Sequence, residues 1–375
     1  MNNRERILNV LQYKPVDRIP LQPGYPRKST RERWHREGLP EGADWFAYVM
    51  EAAGVDYEWS KEAPNHGVNS RMIPIFEEKV LKHENGHYIV QDWMGAITEI
   101  SDEFDYTYIR NAIDFVTRKW HKFPVENQED WVEMKKRFDP DDPSRYPENM
   151  DKLAGLMADR DYPSRLYFNG PFWQLREWMG FEELCMAFIE RPEFVAEMID
   201  FWCDFCLKMI EKVTAVVPID IINLSEDMAY KAHSMISPAM AREFLMPVYK
   251  KWSAAARKNG VKFIDMDSDG YIDELIPIWI ESGIHVCDPI EVAAHNDIVL
   301  FKEKYGENMA YIGGVDKRAI AAGGKVMETE VRRVVEPFLA KGGLIPGCDH
   351  GVPHDISLQN FIDYTELLAK LCGWK

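Results

Sequence analysis

Val261-Lys-Phe-Ile-Asp-Met-Asp-Ser-Asp-Gly270 is the stretch on which the reading of the fold turns. Val261 to Ile264 reads as a short buried strand, and three carboxylates follow at Asp265, Asp267 and Asp269. Gly270 then lets the chain turn into a helix expected to start near Tyr271. A strand that discharges acids into a strand-to-helix loop places them at the C-terminal end of a parallel sheet, where such folds keep their chemistry. Two later segments follow the same plan: Gly283-Ile-His-Val-Cys287-Asp288-Pro289 and Gly343-Leu-Ile-Pro-Gly347-Cys348-Asp349-His350-Gly351. On neighbouring strands, the three would direct carboxylates, two thiols and two imidazoles into one pocket.

Working outward, the rhythm is regular from Leu166 onward. Strands are expected at 166–169, 219–224, 261–266, 284–287, 309–313 and 343–347, with helices between them. Ser237-Pro238 opens one of those helices, cap then proline, and Asn259-Gly260 ends it. Upstream, residues 2–14 read as an amphipathic helix, Ile19 to Gln22 as a first strand and Val55 to Trp59 as a second. Residues 79–100 alternate in polarity about Asn85-Gly86, a hairpin signal. Eight strands alternating with helices close a barrel. The expected fold is therefore α/β, a single (β/α)8 TIM barrel over residues 1–375 with an N-terminal helical extension and an inserted β-hairpin. An open doubly wound sheet is disfavoured, because no Gly-rich dinucleotide fingerprint follows an early strand.

Composition narrows the class. Of 375 residues, 46% are hydrophobic and 29% charged, which suits a globular enzyme rather than a disordered chain. The net charge of −17, with no Lys/Arg cluster, argues against nucleic acid or an anionic membrane as partner. The start of the chain lacks the apolar core of a signal peptide, and six cysteines in such a sequence point to free thiols in a reducing compartment. A cytoplasmic protein is expected.

Among candidate chemistry, Cys203 and Cys206 have metal-like spacing but lie in an apolar helical stretch and read as core, as do Cys185 and Cys372. Cys287 and Cys348 differ, since each ends a strand and precedes an aspartate. Glu226-Asp227 and Asp267/Asp269 follow strands; capping of the next helix accounts for one of each pair and leaves the other for metal binding or proton transfer. His350 stands two residues beyond Cys348. A set drawn from Glu226, Asp267, Cys287, Cys348 and His350 would suit Zn²⁺ with an open position. Arg27 lies just beyond the first strand, where a substrate carboxylate is easily held.

The chain also resembles the uroporphyrinogen decarboxylase superfamily. The resemblance lies in Asn3-Arg-Glu-Arg-Ile-Leu with Pro15-Val-Asp-Arg-Ile-Pro20, in Ser237-Pro238-Ala-Met-Ala-Arg-Glu-Phe244, in Gly313-Gly314-Val-Asp316-Lys317-Arg318, and in Gly342-Gly343-Leu-Ile-Pro-Gly347-Cys348 through Ser357. The arginine-rich substrate motif of the haem-pathway decarboxylase is absent. The chain looks closer to the corrinoid-dependent methyltransferases, those that demethylate methoxylated aromatics in particular. That branch holds zinc through a His-x-Cys pair and a distant cysteine. Cys348 matches the distant ligand, but the pair falls on Asp267-Ser-Asp269, so the resemblance implies a harder zinc site at Asp267, Cys287 and Cys348, with Glu226 in reserve. It further implies a small methylated donor, a corrinoid carried by a partner protein, and a pocket of Phe172, Trp173, Tyr230 and His233, four residues that read equally as core. Asp267, Asp269 and His350 are the expected catalytic groups. Two alternatives stand beside this: a metal-independent decarboxylase or lyase, and a non-catalytic small-molecule-binding barrel.

Overall fold

The strand–helix alternation from Leu166 onward is realised in the computed structural model, which describes residues 1–56, 67–105 and 117–375. Six strands form one parallel sheet in sequence order: β5 (Arg165–Asn169), β6 (Ile221–Ser225), β7 (Phe263–Asp267), β8 (Val286–Asp288), β9 (Ala310–Val315) and β10 (Leu344–Cys348). Each lies within two residues of its expected start. Helices fill every crossover, so sequential parallel pairing follows from the βαβ plan. The helix opened by Ser237 is capped as expected, the serine side chain accepting from the Met240 N–H with Pro238 at the first turn.

One face of this sheet is covered at its amino-terminal end by the start of the chain. Ile221, Phe263, Val286, Ala310 and Ile345, one from each of five adjacent strands, pack on Ile7, Leu8, Val10 and Leu11 of the N-terminal helix Asn3–Val10 and the turn after it. The alternate residues, among them Ile222, Leu224, Ile264, Met266 and Tyr311, face the surrounding helices. Asp220, 2% exposed, locks the same base. Its Oδ1 meets Arg4 Nη2 at 2.6 Å, and its Oδ2 meets Arg160 Nη2 at 2.8 Å and accepts from the Ser164 N–H at 3.0 Å.

Two expectations are corrected, and a third is described only at its start. Ile19 to Gln22 is extended beside β10 but forms no regular ladder. Pro23 O accepts from Cys348 N–H, and Pro26 bridges Val352 in parallel, while Pro20, Pro23 and Pro26 lack the N–H groups a ladder needs. The second early strand is irregular at Val55 and Asp56, and its remainder lies outside the described residues. Among the described residues, ladders join six strands in the parallel sheet. The helix after Gly270 begins at Ile276 rather than near Tyr271.

The hairpin is present and larger than expected. β1 (Lys79–Glu84) and β2 (His87–Gln91) flank Asn85 and Gly86, both at positive φ as a type I′ turn requires, and β3 (Ile97–Ser101) and β4 (Arg118–Lys122) extend it to four antiparallel strands. Trp93 and Trp120 of this unit face Trp173 and Arg176 of helix Pro171–Met179 across a cavity of about 850 Å³, beside the carboxyl end of β5. Among the described residues no helix is long and apolar enough to cross a membrane.

Removing one member of a buried charge cluster strands the others. Asp220→Ala is expected to lower unfolding free energy by roughly 3–5 kcal/mol, read from urea denaturation, with a native-like circular dichroism spectrum in buffer.

Candidate active site at the carboxyl ends of the parallel strands

Period-two alternation decides what that face carries above its apolar base. On β7 it brings Phe263, then Asp265, then Asp267 inward; on β6, Ile221, Asn223 and Ser225; on β8, Val286 and Asp288. Asp265 is 1% exposed and is held by Asn223 Nδ2 at 2.7 Å and Arg165 Nη1 at 3.3 Å. Asp267 accepts from Ser225 Oγ at 3.2 Å and pairs in register with Asp288 on the next strand.

The loops above are tied to one another. Asp227, at φ 31°, accepts from the Asp269 N–H at 2.9 Å, and Arg176 Nη1 donates to its carbonyl. Gly270 donates to Glu291, and a Cβ there would lie 2.3 Å from the Ala229 carbonyl, so glycine is required. His350 is clamped between Arg27, whose Nη2 lies 2.8 Å from Nδ1, and Asp269, whose Oδ2 lies 3.2 Å from Nε2. An arginine can only donate, so Nδ1 accepts and Nε2–H donates to Asp269. Asp267, Asp288, Cys348 and His350 line a cavity of about 590 Å³, closed on the other side by the 21–25 segment and by Trp45 and Phe46.

The expected residues divide accordingly. Asp267, Asp269, His350, Cys348 and Arg27 converge at this mouth. Cys287 does not. It is fully buried on the outward face of β8 with Met266 and Tyr311, because Val286 and Asp288 take the inward positions. Glu226 is also elsewhere: its carboxylate accepts from the Phe172 and Trp173 N–H groups and from the Tyr249 hydroxyl, capping helix Pro171–Met179 from within the protein. Phe172 is core, Tyr230 and His233 lie on an exposed turn, and Trp173 faces the larger cavity with its indole N–H on Glu177. The four form no common pocket. Asp316 is a helix cap, its Oδ1 accepting from Arg318 N–H.

The expected thiolate zinc set therefore does not assemble. Among the described residues, three ligand atoms lie within 4.8 Å of one another only in Asp269–Glu291–His350 and Asp227–Asp267–Asp269. These are oxygen-rich and contain neither cysteine. Burial pushes the Cys348 thiol up to about 12 and Cys287 well above its usual value, which favours the protonated form of both. Asp288, Glu291 and the aromatic wall at Tyr25, Trp45 and Phe46 were not singled out from sequence. The alternation of Val286-Cys287-Asp288 was the available signal for Asp288; the aromatic wall had none.

Burial, then repulsion from Asp227, Asp269 and Asp265, pushes Asp267 up to about 7; burial and Asp269 push Asp227 to about 6. Asp265 and Asp288, buried against each other, are raised too. Each unit is worth about 1.4 kcal/mol. An unfolded aspartate releases its proton near pH 4, while native Asp267 keeps its own until about 7. Stability thus falls as pH rises through that window, since the native state binds the extra proton. Asp267→Asn is expected to match wild type near pH 4 and to melt higher above pH 8, both measured in EDTA. A pH-independent difference would contradict the assignment.

The uroporphyrinogen decarboxylase (URO-D) family matches residues 121–371. Among solved structures, a methyltransferase from Methanosarcina mazei aligns over 99% of this chain and 99% of its own, with a TM-score of 0.58 and 14% identity, which is a likeness of fold. A B12-independent methionine synthase from Shewanella sp. W3-18-1 aligns over 60% of this chain and 65% of its own, at TM-score 0.40 and 12% identity. No curated protein sequence matches. The matched span takes in every strand of the parallel sheet and the whole acidic mouth, and the chain belongs to the uroporphyrinogen decarboxylase family.

Proposed function

We propose that this chain is a methyltransferase that takes a methyl group from a small methylated donor in the mouth cavity and delivers it to the Co(I) of a corrinoid carried by a partner protein. The reading includes a closed (β/α)8 barrel, in which the 19–26 segment beside β10 takes one of the remaining strand places. The observation that carries it is the cavity itself. It opens at the carboxyl ends of β7 to β10, holds about 590 Å³, and has Asp267 and Cys348 in its wall.

The corrinoid supplies a two-electron nucleophile for the methyl carbon; the remaining work belongs to this chain. A methoxylated aromatic, the donor expected from sequence, leaves as a phenolate and needs its oxygen neutralised. Asp267, its proton held by burial and the neighbouring carboxylates up to about pH 7, would give that proton from the cavity wall, a role generally worth 10²–10⁴-fold. His350, fixed between Arg27 and Asp269, holds the loop after β10 against the loop after β7 and so fixes the rim. Asp267 thus replaces the expected zinc as activator of the leaving group.

The test mixes purified protein with cob(I)alamin and a panel of methylated donors and follows methylcobalamin by absorbance. Methoxylated substrates are expected to turn over, with Asp267→Asn slower by roughly 10²-fold or more. Cys287→Ala is expected to lower the melting temperature and leave the rate intact. Loss of activity on chelation together with loss in Cys287→Ala would restore the thiolate zinc mechanism and sink this one.

A further inference from the structure

Two carboxyl groups, Asp267 and Asp288, stand side by side in the cavity wall, and they are held in different ways. Asp288 is committed to Asp265, the two side chains hydrogen-bonding each other. Carboxylates only accept, so that bond holds one proton between the pair. Asn223 Nδ2 and Arg165 Nη1 secure Oδ2 of Asp265 at 2.7 and 3.3 Å. Asp267 is held instead by a hydroxyl: its Oδ2 accepts from Ser225 Oγ at 3.2 Å. The two residues are paired in register at the ends of β6 and β7. Their backbones are fixed as well, since Gly170 N–H donates to the Ser225 carbonyl at 2.7 Å and Glu226 N–H to the Asp267 carbonyl at 2.8 Å.

We infer that Ser225 is a positioning residue for proton transfer from Asp267 to the leaving oxygen, an inference that rests on the methyl-transfer reading. The hydroxyl occupies Oδ2, so the proton of the neutral acid sits on Oδ1. The same bond strengthens as that proton leaves, because a hydrogen bond to an ionised acceptor is roughly twice as strong as one to a neutral acceptor. An interaction that grows along the reaction lowers its barrier without tightening the binding of the substrate. Asp288 is a poor substitute as donor. Giving up the proton it shares with Asp265 would leave two buried carboxylates in contact.

The step balances. The O–H bond of Asp267 breaks, and its proton passes to the ether oxygen of the methoxylated donor. The bond from that oxygen to the methyl carbon breaks with its electron pair kept on oxygen, and a neutral phenol departs. The pair for the new bond to the methyl carbon comes from the Co(I) of the partner corrinoid, which is oxidised by two electrons. Asp267 is left as a carboxylate facing the Ser225 hydroxyl, and a proton from water restores it.

The experiment compares Ser225→Val with its isostere Ser225→Thr, which keeps the hydroxyl; Ser225→Ala replaces the valine variant if that one fails to fold. Rates are measured with cob(I)alamin and the methoxylated aromatic that turns over fastest. Ser225→Val is expected to lower kcat by roughly 10-fold with KM unchanged, Ser225→Thr to stay within about 3-fold of wild type, and Ser225→Val to add nothing to Asp267→Asn. A second readout needs no corrinoid. Native Asp267 is neutral near pH 4 and charged above pH 8. The lost donor serves the charged form, so Ser225→Val is expected to fall further below Ser225→Thr in melting temperature above pH 8 than near pH 4, in EDTA. Equal kcat in the two variants while Asp267→Asn is slow overturns the role of Ser225 and spares the proton transfer. A loss that multiplies with that of Asp267→Asn, or a melting gap that is flat in pH, marks a serine that only packs and overturns the inference too. Wild-type rates in Asp267→Asn, or no methylation of cobalamin from any donor, sink the proposed function and the inference with it.

Discussion

Burial of one short helix against five parallel strands is the constraint on which the rest of this structure depends. Ile7, Leu8, Val10 and Leu11 cover the base of one sheet face, against Ile221, Phe263, Val286, Ala310 and Ile345. Each such side chain contributes about 1.5–3 kcal/mol when fully withdrawn from water. The same packing makes the base dry and leaves the opposite end of the face as the place where water and polar groups can enter. The buried cluster of Asp220 with Arg4 and Arg160 fixes the helix in register. It adds little net energy when intact, because desolvation offsets attraction, but it excludes other placements of the helix.

Above that base the chain accepts a cost. Asp265 lies one step below Asp267 and Asp288, which stand side by side on neighbouring strands, and Asp227, Asp269 and Glu291 lie in the loops above. The cations available are few and mostly engaged: Arg165 on Asp265, Arg27 on His350, Lys317 on Glu291. Crowding of like charges in a part-buried site raises their proton affinity, and functional sites are where such arrangements persist. Proton donation from Asp267 draws on that electrostatic imbalance.

Some of this site was legible in the residues. Asp267, Asp269, Cys348 and His350 were placed at strand ends by the pattern alone, and they meet. Cys287 and Glu226 were placed at strand ends just as surely, and they do not join them. Cys287 follows an inward valine and precedes an inward aspartate, so its thiol faces the helices. Glu226 ends β6 beside the N-terminus of a helix that starts more than fifty residues earlier in the chain, and two free N–H groups and the Tyr249 hydroxyl claim its carboxylate. Thiols at strand ends did not make the thiolate metal set their composition suggested; the ligand atoms that do gather are carboxylates and one imidazole.

The amino-acid order by itself determined the six parallel strands, the helices between them, the Asn-Gly hairpin and the end of the sheet that carries the acids. Those features rest on local signals: period-two and period-3.6 burial, caps, and turn residues. Only the tertiary structure decided which strand-end side chains share a cavity, because inward or outward facing depends on the phase of each strand against the helix at its base. It also decided that Tyr25, Trp45 and Phe46 form the opposite wall. Nothing local links a proline-broken segment near the start of the chain to Cys348 near its end; backbone hydrogen bonds across more than three hundred residues do.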